Sequence, residues 1–216
     1  MPIDKYFGLG KPDEKQIIEH GDNPLTMLTA AYKEWITYVE RDPIRAETPD
    51  RFLSKAEEIL MPCVGKLPKK MDNTEYFLPL RLYEPNMLAG IFYTALLNSG
   101  AIDYLIIPKK IRNMYHFGYR LRRGVLENYA KLDLIGWHAE GGCLINHVRM
   151  GEGFGSEATG GLFVNYGKVQ PYLFPTSSFG SISKGGVFLD YEHRDFTYDP
   201  GGVPPIDKHC KEHYAR

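Results

Sequence analysis

The stretch 117–191 repeats one pattern four times: FGYRLRRGVLENY (117–129), IGWHAEGGCLINH (135–147), FGSEATGGLFVNY (154–166) and FGSISKGGVFLDY (179–191). Each copy has 13 residues without an internal gap, so length varies only in the connections. A unit this short cannot bury an apolar face alone and must stack on its neighbours. The repeat therefore predicts a four-rung β-solenoid.

Glycine marks two places in every copy, and each place predicts a bend. The first follows the opening residue, as in Gly118 and Gly136, and the second is a glycine-rich step such as Gly160-Gly161. Glycine tolerates the positive φ that a tight corner requires. The five residues that end each copy are rich in β-formers and predict a short strand.

Strand alternation divides the end of each copy into two faces. One position is always large and apolar, and we expect it inside the core: Leu126, Leu144, Phe163 and Phe188. Two residues later, an amide or carboxylate recurs on the same side, and the column predicts a structural ladder of side-chain hydrogen bonds: Asn128, Asn146, Asn165 and Asp190.

The opposite face of these strands is too apolar for a surface in open water. It carries residues such as Val125, Ile145 and Leu162 together with Tyr129 and His147. An apolar sheet face is normally covered. We therefore expect the N-terminal helices or a partner chain to lie on it.

An antiparallel meander is the alternative to the solenoid. Glycine-containing turns also join antiparallel strands, and connections of 5, 6 and 12 residues between the copies do not exclude them. The ungapped unit favours the solenoid because phase is preserved through both bends.

Three helices are predicted before the repeat. Leu28, Tyr32 and Trp35 recur at helical spacing in a segment that begins at Asn23-Pro24 and ends before Pro43. A second helix follows Thr48 and ends at Leu60, and an apolar third one spans 86–98. The chain is thus predicted to be α+β: a polar arm (1–23), a helical region (24–100) packed on the repeats (101–191), and a C-terminal tail (192–216).

Composition excludes few functions. A net charge of -1 gives no whole-chain argument for nucleic acid or membrane binding. Three widely spaced cysteines and the absence of a signal peptide indicate a cytoplasmic location. No phosphate-binding glycine loop, dinucleotide fingerprint, GxSxG or HExxH motif occurs, and we expect no cofactor.

A basic run precedes and enters the first copy. Cations beside aromatic residues are the ingredients of RNA binding, whereas pairing with acids elsewhere, such as Arg122 with Glu140, would make the run structural. Six cations lie within 15 residues that contain no acid: Lys109, Lys110, Arg112, Arg120, Arg122 and Arg123.

His138 and Glu157 occupy equivalent positions in neighbouring copies, as does Arg120. A histidine beside a carboxylate is a candidate general acid/base pair, although such a column is more often a surface charge ladder. Cys143 and His147 are not a candidate pair, because four residues along a strand separate them by about 13 Å.

Near the C-terminus, His209, Cys210 and His213 offer three possible zinc ligands within five residues. A zinc site needs a fourth ligand from elsewhere, so the polar-tail interpretation is preferred and no metal is expected.

The sequence predicts a non-enzymatic interaction module, a rigid repeat scaffold that binds a protein partner or itself. The first alternative is an RNA- or ribosome-associated factor that uses the basic run. The second is a hydrolase-like enzyme built on His138 and Glu157.

Overall fold

The computed structural model describes residues 23–41, 49–72, 88–112, 114–150, 153–167, 180 and 183–190. These residues form three α-helices and six β-strands. The helices are α1 (Pro24–Arg41), α2 (Pro49–Leu60) and α3 (Ala89–Asn98). The strands are β1 (Lys70–Met71), β2 (Tyr104–Ile107), β3 (Val125–Asn128), β4 (Glu140–Asn146), β5 (Gly160–Asn165) and β6 (Val187–Asp190).

The strands form one sheet in the order β1-β2-β3-β4-β5-β6, and every pair is parallel. The predicted four-rung solenoid is therefore wrong, and so is the antiparallel meander. Two of the six strands, β1 and β2, precede the four copies. The architecture is of the α/β type: helices with a single all-parallel sheet.

Backbone conformation explains why a single sheet forms. At the first bend of the copies, Gly118 (φ 74°) is followed two residues later by Arg120 (φ 47°), and Gly136 (φ 73°) by His138 (φ 56°). Two left-handed residues so close together make a turn and prevent an extended strand. Among the described residues, the segments between the strands thus serve as connections and build no second sheet.

Equivalent residues of the copies are neighbours in the sheet. Strand pairing places the residues of the buried apolar column directly opposite one another, and the rings of Phe163 and Phe188 stack 4.4 Å apart. The opposite side of the strands is called the outer face, and it carries Val125, Glu127, Cys143, Ile145, Leu162 and Val164. The buried column continues into β2: Leu105, Leu126, Leu144, Phe163 and Phe188.

The helices close one end of the core. Asn23 caps α1, since its Oδ1 accepts the Leu25 N–H (2.9 Å), and Trp35 Nε1 donates to Phe52 O of α2 (3.0 Å). Helix α3 is buried from Ala89 to Leu97. No helix in the described part of the chain is long and apolar enough to cross a membrane.

Helix α3 packs along the segment that leads into β3. Gly118 N donates to Thr94 Oγ1 (2.7 Å), and the rings of Tyr93 and Phe117 stack 5.8 Å apart. Asn98 extends the contact, because its Oδ1 accepts the Arg122 N–H (2.8 Å). The described helices therefore cover the first copy and leave the outer face near Tyr129 uncovered.

Candidate functional site

Glu127 is the centre of a polar cluster on the outer face. Its side chain is only 13% exposed although it lies on the surface side of β3. One carboxylate oxygen accepts the Tyr129 hydroxyl (2.7 Å) and lies 2.7 Å from His147 Nε2, and the other accepts the Tyr104 hydroxyl. Three neighbouring strands or strand ends thus converge on one carboxylate.

The hydrogen bonds fix the protonation of this cluster. Burial favours the neutral acid, but the bonds from Tyr104, Tyr129 and His147 outweigh it and hold the pKa of Glu127 below its usual value. The bond to Glu127 raises the pKa of Tyr129 to about 12. Burial, followed by the same carboxylate, raises the pKa of Tyr104 well above its normal value. Glu127 is consequently an anion that accepts from neutral tyrosines.

Three rings just beyond the strand ends form an aromatic stack, defined here as Tyr129, His147 and Tyr166. The first two rings lie 4.4 Å apart and nearly parallel (5°), and the last two lie 5.3 Å apart (10°). Tyr129 is 37% exposed and Tyr166 is 38% exposed. The two outer rings of the stack are therefore partly open to solvent, while His147 between them is held by Glu127.

The residues next to the stack on the outer face are mostly apolar. Val125, Cys143 and Leu162 are half-buried, whereas Val164 and Leu189 are buried. The face predicted to be covered is thus covered in part and open around the stack. A flat, partly open apolar surface with exposed tyrosines is typical of protein contacts.

On the inner side, the asparagines form an amide ladder, defined as Asn128, Asn146 and Asn165. Asn128 Nδ2 donates to Asn146 Oδ1 (3.0 Å), and Asn146 Nδ2 donates to Asn165 Oδ1 (2.7 Å). All three are fully buried. Asp190 lies opposite Asn165 in the register. The described amides are occupied by one another and by backbone, which is a structural role.

The arginines of the basic run are paired with acids. Arg120 contacts Asp50 (2.6 Å) and Glu140 (3.0 Å), so the partner of Glu140 is Arg120 and not Arg122 as expected. Arg122 pairs with Glu57, and Arg123 pairs with Asp103 at 3.2 Å. Several of these charges line a cleft of about 240 Å³ together with Leu53 and Ser54. Cations neutralised in this way are poor ligands for phosphate.

The rest of the basic run lies at the other end of the sheet. Lys109 and Lys110 follow β2 in a turn closed by a hydrogen bond from Ile111 N to Pro108 O (3.0 Å), and Arg112 comes next. All three cations are exposed and form no ion pair with another described residue. The structure thus separates the six cations that the sequence grouped together.

His138 and Glu157 are neighbours in space. His138 Nε2 lies 3.7 Å from Glu157 Oε2, and Trp137 Nε1 donates to Glu157 Oε1 (3.1 Å). The two side chains are 33% and 42% exposed, and neither lines the cleft beside Arg120. The pair is a half-exposed charge contact beside the rings of Trp137 and Tyr119.

No metal centre is found in the described part of the chain, where no three His, Cys, Asp or Glu residues are grouped to hold an ion. The candidate ligands His209, Cys210 and His213 lie outside the described residues, as do the predicted tail and all but the last residue of the predicted arm. Cys143 and His147 are four residues apart along β4 and its end, as expected.

Sequence reasoning missed the Glu127 cluster. Alternation places Glu127 and Tyr129 on one face, and the repeat places His147 beside Tyr129. The sequence feature that could have revealed the cluster is the single acid, Glu127, at a position where the next copy has Ile145. No protein-family model, curated protein or solved structure matches this chain.

Proposed function

We propose that this chain is a non-enzymatic interaction module that binds a protein partner, or a second copy of itself, through the outer face of its parallel sheet. The observation that carries the proposal is the exposed aromatic stack. Tyr129 and Tyr166 are the exposed aromatic residues among the large apolar side chains of the described part, and they flank an ordered His147. Tyrosines held in place lose little entropy on binding and are enriched at protein interfaces.

The fixed positions of Tyr129 and His147 also support a role of the outer face in protein binding. Glu127 holds Tyr129 and His147 through hydrogen bonds of 2.7 Å, so the binding surface is set before a partner arrives. A preorganised surface avoids part of the cost of ordering side chains on association. A ring edge with a hydroxyl also offers both apolar contact and a hydrogen bond.

The two alternatives have less support. RNA binding through Arg120, Arg122 and Arg123 would require breaking their ion pairs. A hydrolase built on His138 and Glu157 would depend on two side chains that are 33% and 42% exposed to solvent and 3.7 Å apart. Neither Cys63 nor Cys143 forms a disulfide with a described residue, which fits the reducing cytoplasm, where we place the protein.

Affinity capture from the native cell, with and without nuclease, tests the proposal. We expect a protein that remains bound after nuclease treatment and is lost when Tyr129→Ser and Tyr166→Ser are combined. A control variant, Met61→Ser, removes an exposed apolar side chain elsewhere and should retain the partner (Met61 is 62% exposed). Retention of the same partner by the double tyrosine variant would contradict the proposal, as would loss of all partners with nuclease. A mass in solution of twice that of the chain would identify a second copy as the occupant.

A further inference from the structure

Cations recur at one position after three successive strands. Lys110, Lys131 and Arg149 each lie three residues beyond the last residue of β2, β3 and β4, and these last residues are opposite one another in the register. We call these three residues the cationic row. The asparagine, the ring and the cation thus recur together, as in NYAK (128–131) and NHVR (146–149).

The register continues beyond β3 and β4, so that Lys131 and Arg149 are neighbours on the surface, while Lys110 lies in the turn that follows β2. Tyr129 N donates to Ile107 O and His147 N to Asn128 O, both at 3.0 Å. Asn128 Nδ2 then donates to Ala130 O (2.9 Å), and Asn146 Nδ2 donates to Val148 O (2.7 Å). Because these turns are alike, Lys131 and Arg149 emerge from equivalent backbone positions, about 4.8 Å apart as neighbouring strands are.

The charge of the row is not compensated nearby. All three side chains are exposed and make no ion pair with a described residue, in contrast to Arg120, Arg122 and Arg123 at the other end of the strands. Lys109 and Arg112 add two further exposed cations. Of the described acids at this end, Asp133 is half-buried, Glu127 is held by its hydrogen-bond donors, and Asp190 ends β6 at the far edge of the sheet. The carboxyl ends of the strands therefore form a basic surface on a chain whose net charge is -1.

The cationic row runs beside the aromatic stack. Tyr129 precedes Lys131 by two residues, and His147 precedes Arg149 by two. The cationic row and the aromatic stack therefore run side by side across β3 and β4. One occupant can contact both if it presents apolar groups on one side and anionic groups on the next.

We propose that the cationic row and the aromatic stack together bind an acidic amphipathic helix of a partner protein, lying across the strand ends. The inference rests on the proposed function and specifies its partner. On a helix, side chains at i and i+3 or i+4 lie about 5–6 Å apart, close to the 4.8 Å step of the strands. An extended segment would present carboxylates on one side every ~6.6 Å, a spacing that does not match that of the cations in the row. Asp or Glu on one stripe meets the cations while an apolar stripe meets the ring edges.

Other occupants fit this surface less well. A second copy would bring cations against cations, which opposes pairing. Single-stranded RNA stacks its bases on free ring faces, whereas the faces of His147 are already occupied by Tyr129 and Tyr166. Charge and ring geometry together thus favour an acidic protein segment.

Binding of synthetic probes to the full chain tests the inference. The probes are a Leu/Glu peptide with helical periodicity of about 18 residues, a peptide of the same composition in which that periodicity is scrambled, and a single-stranded oligouridylate. We expect the helical peptide to bind best, to weaken as salt is raised, and to lose at least about tenfold in affinity on combined Lys110→Glu, Lys131→Glu and Arg149→Glu. The matched control changes three exposed lysines away from the row: Lys33→Glu, Lys66→Glu and Lys184→Glu.

Three results would overturn the inference: no binding of the helical peptide, equal binding of the scrambled peptide, or unchanged affinity of the triple variant. Tighter binding of the oligouridylate that depends on the row would assign the surface to nucleic acid instead. Partner capture that depends on Tyr129 and Tyr166 but not on the cationic row would leave the proposed function intact and refute this inference alone.

Discussion

At the scale of single residues, Glu127 combines burial with ionisation. Its carboxylate accepts from two phenols and an imidazole, and each of those groups comes from a different strand or strand end. A carboxylate in such a setting is stabilised by its donors and in turn holds them in one orientation. Glu127 therefore holds both Tyr129 and His147 in place at the surface.

Glu127→Gln should destabilise the fold by about 1–3 kcal/mol, because the amide donates where the carboxylate accepted and charge-assisted bonds are lost. The pKa of Tyr129 should fall from about 12 toward that of a free tyrosine. Denaturant unfolding and an ultraviolet titration of tyrosine measure the two effects. The control Glu34→Gln, at an exposed position of α1, should stay within about 0.5 kcal/mol. An unchanged tyrosine titration would contradict the role given to Glu127.

His116 provides a pH-dependent contribution. Burial lowers its pKa from the ordinary 6.5, and its Nδ1 is buried without a hydrogen-bond partner. The folded state binds fewer protons than the unfolded state here, so stability is full above 6.5 and falls as the pH drops below it. Replacement by Asn, which tolerates the left-handed φ of 64°, should remove this slope.

Unfolding free energies measured at several pH values on either side of 6.5 test this prediction. The control Leu134→Asn changes another residue in the left-handed region (φ 53°) that carries no titrating group, and it should keep the slope of the wild type. If His116→Asn retains the full slope, another group is responsible.

At the scale of elements, the amide ladder ties β3, β4 and β5 together on the core side. Asn146 is the middle member and bonds with both neighbours, whereas Asn128 bonds with one. Asn146→Ala should therefore cost about 2–5 kcal/mol, because it leaves buried donors and acceptors unpaired. Asn128→Ala should cost less. Denaturant unfolding of both variants makes the comparison, and a larger loss for Asn128 would contradict the ladder as drawn.

Helix α3 approaches the sheet through Gly90. A Cβ built on this residue would lie 2.1 Å from Tyr115 O and 2.4 Å from Phe117 N, and backbone atoms cannot give way as a flexible side chain can. Gly→Ala in a helix normally stabilises by roughly 1 kcal/mol. Here overpacking reverses the sign.

Gly90→Ala should thus lower the free energy of unfolding by about 1–3 kcal/mol or more, measured by thermal or denaturant unfolding. Gly65→Ala is the comparison, since it has open space around the added Cβ and only the strain of its φ of 78°. A stabilised Gly90→Ala protein would show that α3 does not pack against the 115–117 backbone as described.

Sequence patterns predicted individual elements better than their assembly. The stripe of Leu28, Tyr32 and Trp35 reflects helical period and capping, which are local, and α1 runs between the predicted ends. The left-handed conformations of Arg120 and His138 are not local in origin, because non-glycine residues adopt them only when surrounding contacts enforce it. Glycine spacing predicted the bends correctly, as the positive φ of Gly118 and Gly142 shows, but it did not predict the left-handed residues beside them or the single sheet.

At the scale of the whole molecule, charge is sorted between the two ends of the sheet. Arginines and acids neutralise each other where the strands begin, near Asp50 and Asp103, while cations that pair with no described acid lie where the strands end. The sequence placed all six cations of the basic run together because they are close along the chain. Their separation depends on the direction of β3, which only parallel pairing with β2 fixes.

The site was likewise predicted in part. Alternation identified an apolar outer face that needs a cover, but it did not show that the described helices pack elsewhere or that Tyr129 and Tyr166 stay exposed. Nor did it show that Glu127 is sheltered by its neighbours. These properties depend on which residues lie side by side across strands, and alternation along one strand does not determine that register.

Site-specific photocrosslinking tests the central claim most directly, namely that the outer face is the binding surface. A photoreactive phenylalanine analogue in place of Tyr166 should yield a defined, nuclease-resistant protein adduct in the native cell. The same analogue in place of Met61, which is exposed in the 3-10 turn after α2, should yield none of it. Identical adducts from both positions, or an adduct at 166 that nuclease removes, would contradict the account.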